Sequence, residues 1–199
     1  MFGSLDLIFS ITAVLISATT TYFTVWNARY LLGATVTMVN WQAQSTSSKN
    51  ADEPVQATYR VFIKPRIILT HRGTRPVVVT SIALVRPKTA DAEEMRINKI
   101  GEETSHVFQP GNVLEVTPEF ALPSLHNDFE QFRERWNLAF TVVDNLGRRS
   151  DPQIPLLDVD FRLIPDPKDP EGAPKLSLNL DYQRQPMPVI KSGWLANWI

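Results

Sequence analysis

The chain has 199 residues, of which 43% are hydrophobic and 21% charged, with a formal net charge of −1 and no cysteine. That balance excludes a disordered tail, a disulfide-stapled fold, a thiolate metal or nucleophile site, and a basic field that would recruit nucleic acid. Fifteen prolines against eight glycines point to many stiff connections, and no internal repeat is present.

Leu5–Trp26 reads as a single transmembrane helix. From Leu7 to Trp26 there is no charge, and that run at about 1.5 Å per residue reaches the roughly 30 Å of a hydrocarbon core. Trp26 and Tyr30 sit a turn apart with Arg29 beside them, the residue types found where membrane meets headgroups. Gly33 is a natural helix stop. A cleaved signal peptide would want a basic start and small residues at a cleavage site, whereas this start carries Asp6 and the sequence around Trp26 is bulky. Along one stripe at spacings of three and four lie Gly3, Asp6, Ser10, Ala13, Ser17, Thr20, Thr24 and Asn27, all small or polar. Close packing and interhelical hydrogen bonds drive helix association in lipid, so the stripe predicts pairing with copies of itself or with a partner's helix. The competing reading is that such hydroxyls bond back to their own helix. Arg29 after the span and Asp6 before it tilt the orientation toward a cytoplasmic C-terminal domain.

The remainder, about 165 residues, is the size of one domain. Thr35–Ala43 is rich in β-branched and aromatic residues, and Gln44–Pro54 is a polar loop. Gln56–Lys64 alternates, with Ala57, Tyr59, Val61 and Ile63 on one face. Pro65 then makes Arg66–Thr70 either a bent continuation or a separate strand. After the turn His71–Pro76, Val77–Val85 is apolar on both faces and therefore central. Arg86–Gly111 reads as a charged loop with a short strand at Met95–Ile100, and Val113–Thr117 follows a Pro-Gly turn. Pro123-Ser124 opens a short helix, with Leu125, Phe129, Phe132 and Trp136 recurring at helical spacing and Asn127 and Glu130 as its cap. Asn137–Val143, the turn Asp144–Gly147, Leu156–Ile164 and Lys175–Tyr182 complete the strands, with a Pro/Asp linker at Pro165–Pro174.

These elements predict a mainly β protein, an antiparallel β-sandwich with one short helix behind the membrane anchor. Thr70–Pro76 running into Val77–Val85, and Thr141–Arg148 as a closing hairpin, resemble Ig-like sandwich domains in shape, without their Cys…Trp…Cys signature. The organisation is an anchor over 1–33, a sandwich over 34–164, and a Pro-rich linker, last strand and Trp-containing tail over 165–199.

Catalytic motifs are not found: there is no phosphate loop, nucleophile elbow or His-Glu-x-x-His helix. His71, His106 and His126 fall far apart, in predicted loops or at a helix start. Asp158 and Asp160 share a strand face and could hold Ca²⁺ with Asp166 or Asp169, though a solvated face is the plainer reading. Arg72 and Arg75 flank one turn, and Arg148 and Arg149 another. If the two turns share one end of the sandwich, they form a basic cluster for headgroups or an acidic partner. The tail places Trp194, Leu195 and Trp198 on one face if helical, for burial on the domain, a partner or the membrane interface. The function expected is a non-enzymatic binding or assembly module in a membrane complex, self-associating or partner-binding, without cofactor or metal. The alternatives are an oligomeric pore with the sandwich as sensor, and a carboxylate-dependent hydrolase.

Overall fold

The computed structural model describes residues 3–21, 30–48, 56–73, 75–90, 92–101, 105–168, 173–182, 184 and 186–192. One helix, α1 (Gly3–Thr21), precedes the strands. These are β1 (Tyr30–Ser48), β2 (Gln56–His71), β3 (Val77–Arg86), β4 (Met95–Asn98), β5 (His106–Phe108), β6 (Val113–Val116) and β7 (Phe120–Ala121). They continue with β8 (Leu125–His126), β9 (Gln131–Asp144), β10 (Arg149–Ser150), β11 (Gln153–Ile164), β12 (Lys175–Tyr182) and β13 (Met187–Ser192).

The hydroxyls of Thr19 and Thr20 donate back to the carbonyls of Leu15 and Ile16, at 2.7 and 2.8 Å. Side chains 9–21 of α1 are all exposed, Phe9, Ile11, Val14, Leu15 and Ile16 among them. Among the described residues no helix is long and apolar enough to cross a membrane, so the span expected at Leu5–Trp26 is not present as one described helix. Thr24, Trp26, Asn27 and Arg29 lie outside the described residues. Gly33, expected to stop the helix, instead sits inside β1, where its pairing with β13 shifts register.

Two antiparallel sheets form the sandwich. In the first, β13, β1 and β2 are neighbours, and β6, β7 and β8 pair in turn along the other edge of β2. In the second the order is β12, β11, β9, β3, with β4 and β5 sharing the outer edge of β3 and β10 on β9. All pairings are antiparallel. The core lies between the sheets, where Ile63, Ile67 and Leu69 of β2 join Trp136, Leu138 and Phe140 of β9 and Phe161 of β11 in one cluster, all fully buried. A β-strand has a side-chain period of two, so the odd-numbered row of β2, from Ala57 to His71, is buried without interruption.

That row passes through Pro65, so β2 is one strand and not two. Proline lacks an amide donor, and its partner strand carries a bulge there: Val36 pairs Ile67, Met38 pairs Arg66, and Thr37 is extra. The polar loop expected from Gln44 also starts later, because Gln44–Ser48 continues β1 opposite Gln56–Arg60. Both faces of that stretch are exposed, which removes the alternation that would have marked it.

The short helix expected from Leu125 is absent; Leu125–His126 and Gln131–Asp144 are strands. Phe132 and Trp136 fit a spacing of four, but Phe132, Trp136, Leu138 and Phe140 fit a spacing of two as well. The strand prevails through cross-strand contact. Phe132 lies opposite Phe161 and stacks on it at 4.6 Å, while Phe129 meets Phe132 edge-on at 4.7 Å. An isolated two-turn helix would be marginal by comparison. The last strand expected at Lys175–Tyr182 is β12, beside β11, and beyond it the segment taken as tail supplies a further strand, β13, beside β1.

Candidate functional site

One end of the sandwich collects the arginines of both turns that the sequence singled out. The strand β1 comes in at Tyr30, opposite Ser192 at the close of β13, and two residues later Leu32 lies opposite His71 at the close of β2. Six residues on, β3 begins at Val77, which pairs with Asp144 at the close of β9 and with Phe108 at the close of β5. The turns at 72–76, 109–112 and 144–148 are therefore gathered at the end where β1 begins and β13 finishes. The two arginine-bearing turns do share one end.

His71 organises this end from within. It is fully buried rather than a loop residue, and its Nε2 lies 2.6 Å from the carbonyl of Arg75. The amide of Gly73 donates to Nδ1 at 3.4 Å, which makes Nδ1 the acceptor and puts the ring proton on Nε2. The backbone of His71 also exchanges bonds with the next turn, its amide donating to Asn112 at 2.9 Å and its carbonyl accepting from Gly111 at 2.9 Å. The third turn is held by Asp144, whose carboxylate accepts from the amides of Leu146 and Arg148 at 2.8 and 2.9 Å and from the Arg148 guanidinium at 2.7 Å. Burial pushes the Asp144 carboxyl up, but these donors together outweigh it and hold it below the ordinary carboxylate range.

Arg72 and Arg149 are exposed at this end, and Arg75 is half-buried. Arg148 pairs with Asp144, and Arg149 with Asp151 at 3.4 Å. Apolar side chains missed in the sequence also lie here. Leu146, at the tip of its turn, is 64% exposed, Val113 at the start of β6 is 67% exposed, and Val107 of β5 is 60% exposed. The other exposed large apolar residues of the sandwich, Met38, Trp41, Ile100 and Ile164, are 38–50% exposed. The sequence signal was available: an apolar residue inside the Asp-Asn-Leu-Gly turn is out of place unless it meets something. Tyr30 starts β1, whereas Trp194 and Trp198 lie outside the described residues.

The other candidates disperse. His126 bonds Thr58 at 3.3 Å, roughly 40 Å along β2 from His71 at about 3.3 Å per residue. His106 pairs opposite Val79 on the other sheet. Among the described residues no group of three metal-binding side chains comes together. Asp158 is taken by Arg135 at 2.9 Å and Arg133 at 3.0 Å, and Asp160 by Arg162 at 2.8 Å. The Arg135 hydrogen bond holds the Asp158 carboxyl below its ordinary range against a smaller opposing push from burial, and Arg162 does the same for Asp160. Glu115, bonded by Arg66 at 2.6 and 2.7 Å, is likewise held down. A hollow of about 630 Å³ beside Arg86, Glu134 and Arg135 is lined by charges that pair with one another. Asp158, Asp160 and Glu115 are each held down by an arginine, the opposite of the upward shift that a general acid needs.

No protein-family model matches the chain, and no curated protein sequence matches it. Two solved structures are similar in part. A structural-genomics target solved by X-ray crystallography is 11% identical, over 59% of this chain and 83% of its own, with a TM-score of 0.32. A Bordetella pertussis protein assigned as ApaA is 13% identical, over 61% of this chain and 89% of its own, with a TM-score of 0.30. At these values the likeness carries no argument about this protein.

Proposed function

We propose that the protein is a single-pass, membrane-anchored β-sandwich acting as a non-enzymatic binding and assembly module, with its Ig-like sandwich on the cytoplasmic side. The observation that carries this reading is α1: side chains 9–21 are exposed, five of them large and apolar, on a helix of nineteen residues. A helix of that kind is not stable in water without an apolar surrounding. The described helix is by itself not long and apolar enough to cross a membrane, but the uncharged run of the sequence goes from Leu7 to Ala28 and at 1.5 Å per residue would reach roughly 30 Å. Only residues 22–29 separate α1 from β1, so the sandwich follows the anchor closely.

The small stripe of Ser10, Ala13, Ser17 and Thr20 is the face for lateral association. Because Thr20 already donates to its own helix, the stripe contributes close approach more than spare donors. That also weighs against a hydrophilic pore lined by the same residues, and the downward-pushed carboxyls weigh against a hydrolase. The test is alkaline carbonate extraction followed by cross-linking of the full chain in membranes. The chain stays in the pellet and cross-links to a defined oligomer, and Ser17→Leu with Thr20→Leu reduces cross-linking at least threefold. Extraction into the supernatant would falsify the anchor, and unchanged cross-linking in the double variant would dismiss the stripe.

A further inference from the structure

We propose that the end of the sandwich holding Arg72, Arg75, Arg148 and Arg149 is a lipid-contact face that lies on anionic phospholipid headgroups. The inference rests on the anchor reading for its location and adds the partner surface and its chemistry. Three independent observations meet there.

The first is topology. Strand β1 begins at this end, and the apolar helix precedes it by only residues 22–29. Eight residues reach at most roughly 28 Å, so this end is the part of the sandwich nearest the headgroups. The second is charge. Arg72, Arg75, Arg148 and Arg149 all stand at this end, Arg148 beside Asp144 and Arg149 beside Asp151, and Arg72 and Arg149 are exposed, in a chain whose net charge is −1. Guanidinium groups on a surface facing anionic lipid are attracted within about a Debye length, and Arg matches phosphate geometry with two parallel donors. The third is apolar exposure. Leu146, Val113 and Val107 are the three most exposed large apolar side chains of the described sandwich, and all three belong to this end. Apolar side chains set among cations match the boundary between headgroups and acyl chains. An acidic protein surface would satisfy the arginines but would not require the apolar side chains to cluster where the chain comes from its anchor.

The test uses the absence of cysteine. Leu146→Cys and, at the opposite end, Ser47→Cys each give the full chain one labelling site for an environment-sensitive fluorophore. Each labelled protein is reconstituted into phosphatidylcholine vesicles with or without 30 mol% phosphatidylserine, with a headgroup-linked quencher, and recovered by flotation. The label at 146 is quenched at least threefold more than the label at 47 in phosphatidylserine vesicles. Raising the salt from 0.1 to 1 M reverses most of the difference. Arg72→Gln with Arg149→Gln weakens the phosphatidylserine-dependent component about tenfold, at up to a factor of five per arginine. The salt titration needs no substitution, so a folding defect in the double variant does not blunt the test. Protein that floats with both vesicles but shows equal quenching at 146 and 47 overturns the inference while the anchor stands. Quenching at 146 that ignores lipid charge and salt also overturns it, since the face would then lie near headgroups without binding their charge. Protein that floats only with phosphatidylserine vesicles, salt-sensitively, overturns the anchor and keeps the lipid-contact face. Protein that floats with neither overturns both.

Discussion

Trp136 is the largest fully buried side chain of the core, and its indole Nε1 is buried without a hydrogen-bond partner among the described residues. Those two facts act in opposite directions. Trp136→Ala opens a cavity between the sheets and is expected to cost about 3–5 kcal/mol. Trp136→Phe removes less volume and also deletes an unpaired donor worth about 1–3 kcal/mol, so its cost should stay within about 1 kcal/mol. Urea denaturation of both variants checks this, and a Phe variant as unstable as the Ala variant would mean that the indole N–H has a partner after all. Asp158 sets a pH dependence. Its folded pKa is depressed, chiefly by the Arg135 hydrogen bond. The ion pair therefore contributes stability above the unfolded value of about 3.9, and that contribution is lost as pH falls through the lower folded value. The arginines are well exposed, so the effect is modest, about 0.2–1 kcal/mol. Asp158→Asn should be slightly less stable at pH 7 and lose less on acidification, which melting curves from pH 7 to 2.5 would show.

Among the elements, β2 shows how one strand can organise a sheet. Its buried odd-numbered row is fixed by period two, so a one-residue slip would turn the whole row outward. Thr37 in β1 is different, because it is the extra residue of the bulge opposite Arg66, and the pairings on either side of it are already consecutive on β2. Deleting Thr37 should therefore keep every register and fold, at the loss of its 3.2 Å hydrogen bond to the Arg66 carbonyl, about 1 kcal/mol. Deleting Phe62 should abolish cooperative unfolding. Thermal melts of the two deletions discriminate, and two equally folded deletions would show that register is not what sets this strand. The stretch 125–136 was misread at this scale, since spacings of four and of two coincide for Phe132 and Trp136. Only Phe161 across the sheet separates the two alternatives.

For the whole molecule, α1 and the sandwich are expected to be energetically separate, because side chains 9–21 of α1 are exposed. Removing residues 1–29 should leave the unfolding midpoint of the sandwich within about 0.5 kcal/mol of the full chain, as substitutions away from packed features do, while abolishing membrane retention. A destabilised truncation would show that the helix packs on the strands. The sequence by itself determined the β class, most strand positions and the central place of Val77–Val85, because alternation and β-branched runs are local consequences of one buried face. It also singled out the arginines of both turns and the apolar N-terminal run. Tertiary structure decided that β2 continues through Pro65, that Leu125–Trp136 is strand, that Asp158 and Asp160 belong to arginines, and that Arg72 and Arg149 share one end with Leu146. The reason is physical: period and propensity act within a few residues, whereas the partners that settled these points lie across a sheet, brought there by pairing over long stretches of chain.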